Sequence, residues 1–84
     1  MNSWEEVDYF KKVEGQRALC KEFSFGDFKE ALAFVNRVGE LAEAEGHHPD
    51  ISLGWGFVSI WLTSHDVSGI TERDRSLAEK IDQL

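Results

Sequence analysis

The stretch from Asp27 to Gly46, DFKEALAFVNRVGELAEAEG, decides the fold, because the hydrophobic period changes there from that of a strand to that of a helix. Asp27 suits the positive end of a helix dipole, and Gly46 suits a C-terminal cap. The pattern predicts an amphipathic helix from about Asp27 to about Glu45. Its apolar positions recur at helical spacing, at Phe28, Ala31, Leu32, Val35, Val38, Leu41 and Ala42.

Extended segments precede this helix. The chain from Trp4 to Phe25 is typical of two strands around a turn near Glu14-Gly15. The second of these strands places Leu19, Phe23 and Phe25 on one face, since successive side chains of a strand point to opposite sides. The N-terminal part of the chain therefore predicts a hairpin.

A second hairpin is predicted after the helix. Ile51 and Leu53 begin a strand, Gly54-Trp55-Gly56 offers a turn, and residues 57–63 alternate between apolar faces. We assign one of these faces to the helices, namely the one formed by Val58, Ile60 and Leu62. The opposite face carries Phe57 and Trp61, which leaves aromatic surface for a partner subunit or a ligand, so we expect self-association.

The C-terminal segment predicts a second helix and completes the fold class. Thr71-Glu72-Arg73-Asp74 has the Thr-x-x-acid pattern of a capping box. The apolar positions that follow are Leu77, Ala78 and Ile81. The order strand, strand, helix, strand, strand, helix predicts an α+β fold, a two-layer sandwich in which a four-stranded antiparallel sheet carries the helices on one face. We expect residues 1–84 to form a single domain.

Composition excludes several classes of protein. A formal charge of -7 disfavours binding to nucleic acid, whose phosphates repel an acidic surface. The chain contains no apolar run of the roughly 20 residues that cross a bilayer, and its beginning has no pattern of an export signal, so we expect a cytoplasmic protein without membrane attachment. The single cysteine, Cys20, cannot form an internal disulfide, and we expect it to be a half-buried filler in a strand.

The histidines concentrate in two turn-like places. His47 and His48 stand between Gly46 and Pro49, and His65 follows the last strand in Thr63-Ser64-His65-Asp66. Because strand ends beside helix C-termini form clefts in such sandwiches, the three imidazoles are predicted to converge. Imidazoles titrate near pH 6.5 and can exchange protons in either direction at neutral pH. Glu43 precedes His47 by one helical turn and is predicted to orient it.

Other interpretations of these residues remain open. A histidine at a helix C-terminus often only compensates the helix dipole at the surface. Three imidazoles together with Glu43 or Asp50 also provide the ligand types of a metal site, although their spacing has no specific precedent as a ligand pattern. Ser64-His65-Asp66 cannot be a hydrolase triad, because adjacent residues cannot align nucleophile, base and orienting group.

The motifs taken together resemble those of one known family. Glu43-x-x-x-His47-His48-Pro49-Asp50, followed by Thr63-Ser64-His65-Asp66-x-x-Gly69-Ile70-Thr71-Glu72-Arg73-Asp74, is similar to the pterin-4a-carbinolamine dehydratases, as is Phe23-x-Phe25-x-Asp27-Phe28-x-x-Ala31. The resemblance implies a four-stranded antiparallel sheet with helices on one face, assembled as a homodimer or homotetramer. Many members have an additional helix before the first strand, which we expect to be short or absent in this chain.

The implied activity is the loss of water from a 4a-hydroxytetrahydropterin, which yields quinonoid dihydropterin and recycles a hydroxylase cofactor. The resemblance implies that His47 and His65 are the acid/base pair, that His48 contacts the pterin, and that neither metal nor cofactor takes part. It further implies binding or orienting roles for a set of neighbouring residues, Glu43, Asp50, Thr63, Ser64 and Asp66.

Two positions differ from the pattern of the family. Gly46 stands where many members have an aspartate, and Ile51 stands where many have an aromatic or other residue. The missing carboxylate removes one polar contact to the pterin or to a histidine. The alternative function is a non-catalytic protein-interaction module on the same fold, of the transcriptional coactivator or dimerisation type, for which the Phe57 and Trp61 face is the candidate surface.

Overall fold

The computed structural model describes residues 3–11 and 14–84, so the predictions that include Met1, Asn2, Lys12 or Val13 lie partly outside the described residues. The secondary-structure elements follow the predicted order. They are β1 (Glu5–Asp8), β2 (Arg17–Ser24), α1 (Phe28–Glu45), β3 (Asp50–Gly54), β4 (Phe57–Leu62) and α2 (Glu72–Asp82).

The four strands form one antiparallel sheet in the order β1-β2-β4-β3. Leu19 of β2 lies opposite Leu62 of β4, and Phe23 lies opposite Val58. Because paired residues share a face of a sheet, this register gathers the predicted apolar faces of β2 and β4 on one side. Both hairpins and the predicted α+β fold class are confirmed.

The core lies between this face and the two helices. Val58, Ile60 and Leu62 are fully buried, as the sequence predicted. The helices supply the remaining buried side chains of the core cluster, which are Ala31, Phe34 and Val38 from α1 and Leu77, Ala78 and Ile81 from α2. Cys20 lies half-buried in β2, as expected, and burial raises the pKa of its thiol. In the part of the chain that the structure describes, no helix has the length and hydropathy to cross a bilayer.

The buried stripe of α1 differs from the prediction at three positions. Phe28 and Leu32 are 46% and 41% exposed, whereas Phe34, which the periodicity did not include, is only 4% exposed. Each helical residue advances by about 100°, so Phe34 lies within the stripe that Ala31 and Val38 define, while Leu32 lies about a third of a turn outside it. The prediction was wrong at Leu32 because both residues of the adjacent apolar pair Ala31-Leu32 were assigned to the buried face.

Capping interactions fix both ends of α1, at Gly46 as predicted and at Asp27, which the sequence placed in the first turn and the structure shows to be the N-cap. The Asp27 carboxylate accepts the Glu30 backbone N–H at 2.8 Å. At the C-terminal end Gly46 is left-handed, with φ 66°, and its N–H donates to the Glu43 carbonyl at 3.3 Å. The His47 N–H donates to the Ala42 carbonyl at 3.2 Å, which completes a Schellman motif. The cap therefore determines the direction in which the chain leaves α1 toward the histidines.

We expect opposite effects on stability from alanine at the two glycines of this helix. An added Cβ meets nothing within 4 Å at Gly39 or at Gly46, but only Gly46 has a positive φ. Gly39→Ala should raise the free energy of unfolding by roughly 0.5–1 kcal/mol through better helix propensity. Gly46→Ala should lower it by about 1 kcal/mol through left-handed strain. Urea unfolding measures both changes in the free energy of unfolding, provided that the m-values of the variants equal that of the wild type. Equal effects at the two sites would contradict the cap assignment.

Candidate functional site

The corner after α1 and the loop after β4 meet at one cleft. Its volume is about 410 Å³, and all three histidines line it, so the structure brings together the residues that the sequence predicted to converge. The other residues of its lining are Gly46, Thr63, Ser64, Asp66 and Arg73. Of the predicted site residues, only Glu43 and Asp50 lie outside this lining.

A buried carboxylate holds His47. The Nε2 atom of His47 lies 2.6 Å from Oδ1 of Asp74. The His47 side chain is 14% exposed and that of Asp74 is fully buried. The pair is therefore a shielded histidine–carboxylate interaction, in which the carboxylate can fix the tautomer of the ring and stabilise its positive charge.

Asp74 also organises the elements around the cleft. Its Oδ2 accepts the Ser64 hydroxyl at 2.7 Å and the Thr71 backbone N–H at 2.8 Å. Thr71 is the N-cap of α2, and the predicted capping box is present. A buried carboxylate is tolerated when hydrogen bonds replace its hydration, and here His47, Ser64 and Thr71 provide them. The sequence analysis identified Asp74 as a cap but missed that its second oxygen faces a histidine.

The predicted partner of Glu43 was wrong. Glu43 was expected to orient His47, but its carboxylate contacts His48 Nε2. The reason is the Schellman turn, which reverses the chain at Gly46 and carries His47 toward α2 instead of continuing the helical i, i+4 spacing. The His48 and Glu43 side chains are 61% and 77% exposed, so their pairing contributes little to stability.

A short closed turn presents His65 and Asp66. The Ser64 N–H donates to the Gly69 carbonyl at 2.8 Å, and the Gly69 N–H donates back at 3.2 Å, which closes the segment between them. Asp66 is paired with Arg73 of α2 at 2.5 Å. The hydrogen bond from the Arg73 guanidinium holds the pKa of the Asp66 carboxyl below its usual value. Asp66 thus remains a charged group at the rim of the cleft.

The end of the β1–β2 connection supplies a partner of His65 that the sequence analysis missed. Gln16 is only 2% exposed. Its Nε2 lies 3.0 Å from Thr63 Oγ1 and 3.4 Å from His65 Nδ1. Thr63 in turn donates its hydroxyl to the Arg17 carbonyl at 2.8 Å. Sequence spacing gave no signal for Gln16, because antiparallel pairing of β2 with β4 creates this contact.

Tyr9 links the same connection to Asp50. The Tyr9 hydroxyl donates to Asp50 Oδ2 at 2.6 Å, and Lys11 Nζ lies 3.6 Å from the other oxygen. The Tyr9 ring also meets the His65 ring edge-on, with centroids 5.4 Å apart. Asp50, predicted to bind or orient, is therefore connected to the cleft through Tyr9. Among residues 3–11 and 14–84, no group of three or more histidine, cysteine, aspartate and glutamate side chains lies where it could hold one metal ion.

The sequence model of the family described as Pterin 4 alpha carbinolamine dehydratase matches residues 1–84. The chain belongs to this family. Two curated relatives, provisionally named pterin-4-alpha-carbinolamine dehydratase, support the assignment. The one from Rubrobacter xylanophilus is 48% identical over 81 residues, which are 96% of this chain and 69% of the relative. The one from Alkaliphilus metalliredigens is 49% identical over 72 residues, 86% of this chain and 65% of the relative. The chain thus spans about two thirds of the length of these dehydratase relatives.

Two solved structures share the fold of this chain. A transcriptional coactivator/pterin dehydratase from Brucella melitensis has a TM-score of 0.81 and 30% identity, and the match covers 95% of this chain and 79% of the other. A pterin dehydratase-like protein, identified as a RuBisCO assembly factor in the alpha-carboxysome, has a TM-score of 0.77 and 29% identity, covering 96% and 87%. The family fold is therefore used by proteins whose names describe different roles.

The titration of Tyr9 tests the link between the β1–β2 connection and this dehydratase-family cleft. Burial, followed by the hydrogen bond to Asp50 and its charge, raises the pKa of Tyr9 from 10.0 to about 12. Tyr9 is the single tyrosine, so ultraviolet absorbance reports it alone. At about pH 11 we expect the Tyr9 hydroxyl to be ionised in about a tenth of the folded molecules, against about nine tenths of the molecules unfolded in urea.

Asp50→Asn should lower this pKa while leaving it above 10.0, since the ring stays buried. A folded-state pKa above the unfolded one stabilises the fold below about pH 10, and this contribution is lost as the pH rises toward about 12. Identical titration curves for the folded and unfolded protein would contradict the Tyr9–Asp50 contact.

Proposed function

We propose that this protein catalyses the dehydration of a 4a-hydroxytetrahydropterin to the quinonoid dihydropterin, as a step of tetrahydropterin recycling in the cytoplasm. The observation that carries the proposal is the convergence of His47, His48 and His65 on one cleft, with His47 tied to the buried Asp74. The cleft volume of about 410 Å³ falls in the range of small-molecule sites. Membership of the dehydratase family supports the same chemistry.

The reaction requires two proton transfers. An acid protonates the departing 4a-hydroxyl, and a base removes the proton from N5, so that the C4a–O bond breaks as the N5–C4a double bond forms. Imidazole suits both steps near neutral pH, because its unperturbed pKa near 6.5 keeps both protonation states accessible. Two histidines facing one ligand can therefore perform the whole reaction and exchange roles when it reverses.

We assign the main proton transfer to His47. Its Nε2 is engaged by Asp74 Oδ1, which leaves Nδ1 as the nitrogen available to a ligand. An ionised carboxylate accepts the Nε2 proton, so the neutral ring offers the Nδ1 lone pair as a base. When Nδ1 gains a proton, Asp74 stabilises the imidazolium that results. This arrangement resembles the positioning of a catalytic histidine by aspartate in other enzymes.

The remaining residues have supporting roles in the proposal. His65, which lines the same cleft as His47, is the second member of the acid/base pair. His48, which is mostly exposed and contacts Glu43, binds the pterin at the rim. Thr63 and Ser64 are buried and form the wall between β4 and the His65 turn. Asp66 provides a negative charge at the rim, and Asp50 acts indirectly through Tyr9. In this proposal the proton transfers use only these side chains.

Protein binding on the same fold is the second candidate function. The names of the Brucella melitensis protein and of the carboxysome assembly factor describe such roles for those relatives. In this chain the sheet face opposite the helices carries Phe57, which is 37% exposed, and a contact between the Phe10 and Trp61 rings. A homodimer or homotetramer stays a prediction, and exposed Phe28 and Leu32 of α1 are apolar surface that it would cover.

Stopped-flow measurement of 4a-hydroxytetrahydropterin decay tests the proposed activity. The wild-type protein should accelerate the decay, and His47→Ala or His65→Ala should each lower kcat by about 10²–10⁴-fold, as expected for loss of a general acid or base. His48→Ala should act mainly on KM, because this side chain lies at the exposed rim.

The same assay separates the two candidate functions. If both His47→Ala and His65→Ala retain wild-type rates, the acid/base assignment is wrong. If the wild-type protein gives only the background rate and a purified partner binds to the Phe10, Phe57 and Trp61 face, the protein is an interaction module. Substitution of Phe57 by serine should then abolish binding, whereas it should leave the dehydratase rate unchanged if the enzyme proposal holds.

Asp74→Asn tests how His47 is positioned. The amide oxygen can replace Oδ2 in accepting from Ser64 and Thr71, so the cap survives, but the amide N–H₂ then faces His47. Nε2 must become the acceptor, the proton moves to Nδ1, and the ring presents the wrong nitrogen to the ligand. We expect kcat to fall by about 10²–10⁴-fold. Asp82→Asn, on the exposed C-terminal end of α2, is the matched control and should keep full activity. Full activity of Asp74→Asn would refute the positioning role.

A further inference from the structure

We propose that Gln16 is a positioning residue that fixes His65 as its Nε2–H tautomer, so that His65 offers the cleft a hydrogen-bond donor while His47 offers it a proton-accepting nitrogen. The inference rests on the proposed dehydratase function for its catalytic meaning. Its structural part rests only on the contacts among Gln16, Thr63 and His65. These contacts belong to the β1–β2 connection, which no sequence motif of the histidine site includes.

The hydrogen-bond directions follow from the Thr63 hydroxyl. This group has one hydrogen, and two of its neighbours are carbonyl oxygens, that of Arg17 at 2.8 Å and that of Gly69 at 3.5 Å. Carbonyls only accept, so the Thr63 hydrogen points to one of them and its lone pair must receive a donor. The amide atom of Gln16 that faces Thr63 at 3.0 Å is therefore the nitrogen.

The same amide nitrogen determines the state of His65. It lies 3.4 Å from Nδ1 of the ring, and an amide N–H₂ group can only donate. Nδ1 must therefore carry a lone pair, which leaves the proton of the neutral ring on Nε2. Among the described residues no protein atom hydrogen-bonds Nε2 of His65, so this N–H remains available to a ligand.

Gln16 is itself held in place. The residue is 2% exposed, and its backbone carbonyl accepts the Tyr9 backbone N–H at 2.9 Å, which closes the β1–β2 connection. The Tyr9 ring packs edge-on against His65 and its hydroxyl is bonded to Asp50. The connection thus contacts His65 on its ring edge and at Nδ1, and both contacts orient the ring relative to the cleft.

The two histidines of the proposed acid/base pair consequently differ in their partners. His47 has a carboxylate on Nε2, whereas His65 has an amide donor on Nδ1. A carboxylate supports a positive ring, while a fixed N–H donor opposes a second proton on the nitrogen that it faces. At the start of the reaction we assign the lone pair that takes the N5 proton to His47 Nδ1. The His47 imidazolium then returns this proton to the 4a oxygen, so that the C4a–O bond breaks and water leaves, while His65 Nε2–H donates a hydrogen bond to the same oxygen.

Nitrogen-15 NMR of the imidazole rings tests the proposal directly. The chain has three histidines, so the His65→Gln spectrum identifies the His65 signals by their disappearance. In the wild-type protein, at a pH at which the His65 ring is uncharged, Nδ1 should have the nitrogen-15 chemical shift of an unprotonated nitrogen. Nε2 should have that of a protonated nitrogen. Gln16→Glu replaces the donor by an acceptor of the same size, so the proton should move to Nδ1. In the dehydration assay this variant should lose about tenfold in kcat/KM, the value of one misdirected hydrogen bond.

Gln83→Glu is the matched control, because it makes the same change of amide to carboxylate outside the cleft lining. Gln83 is exposed at the C-terminal cap of α2. This variant should alter neither the tautomer nor the rate. If Gln16→Glu does not fold, the wild-type spectrum and that of Gln16→Leu suffice. Gln16→Leu should show exchange between the two tautomers, where the wild type shows one.

The outcomes distinguish this inference from the proposed function. A wild-type His65 ring protonated at Nδ1, or one whose signals do not change in Gln16→Glu, overturns the inference even if the protein is an active dehydratase. A single Nε2–H tautomer that changes as expected in Gln16→Glu supports it. That result holds even if the wild-type protein fails to dehydrate the pterin, in which case only the proposed function falls.

Discussion

The placement of the candidate site depends on the burial of one carboxylate, that of Asp74. A carboxylate removed from water must recover its lost hydration from hydrogen-bond donors. Here the donors come from three places in the chain, namely the corner after α1, the loop after β4 and the first turn of α2. The side chain can be buried only when all three are assembled, so the positions of His47 and Ser64 are coupled to the start of α2.

This coupling holds the groups of the candidate site in place through hydrogen bonds within the protein. Two of these donors, the Ser64 hydroxyl and the Thr71 N–H, also belong to local structure, namely the closed turn that begins at Ser64 and the capping box of α2. His47 reaches Asp74 because the Schellman motif at Gly46 reverses the chain. A site whose groups are held by structural hydrogen bonds does not have to order them when substrate arrives, which is the main advantage of preorganisation in catalysis.

The sequence predicted most of the contacts between residues that are close along the chain, but not those between residues that are far apart in sequence. Local patterns predicted both hairpins, the C-terminal cap of α1 and the capping box of α2, because each depends on residues within a few positions of one another. The error at Phe34 and Leu32 arose because an adjacent apolar pair does not show which member faces the sheet. The contacts of Gln16 and Tyr9 with His65 could not be predicted in this way, since they exist only through the pairing of β2 with β4. The partner of Glu43 was misassigned for a related reason, namely that helical spacing was extended beyond the residue that ends the helix.

The same limit applies to the chemistry of the three histidines, which spacing alone treats as equivalent. In the folded chain each has a different partner and a different exposure. His48 is mostly exposed and meets an exposed carboxylate, so solvent screens its interaction. His47 meets a fully buried carboxylate, so solvent does not screen this interaction in the same way. His65 meets a neutral amide donor at Nδ1. The two members of the proposed acid/base pair therefore differ in the ring nitrogen that the protein occupies, because the fold places a carboxylate at Nε2 of one ring and an amide at Nδ1 of the other.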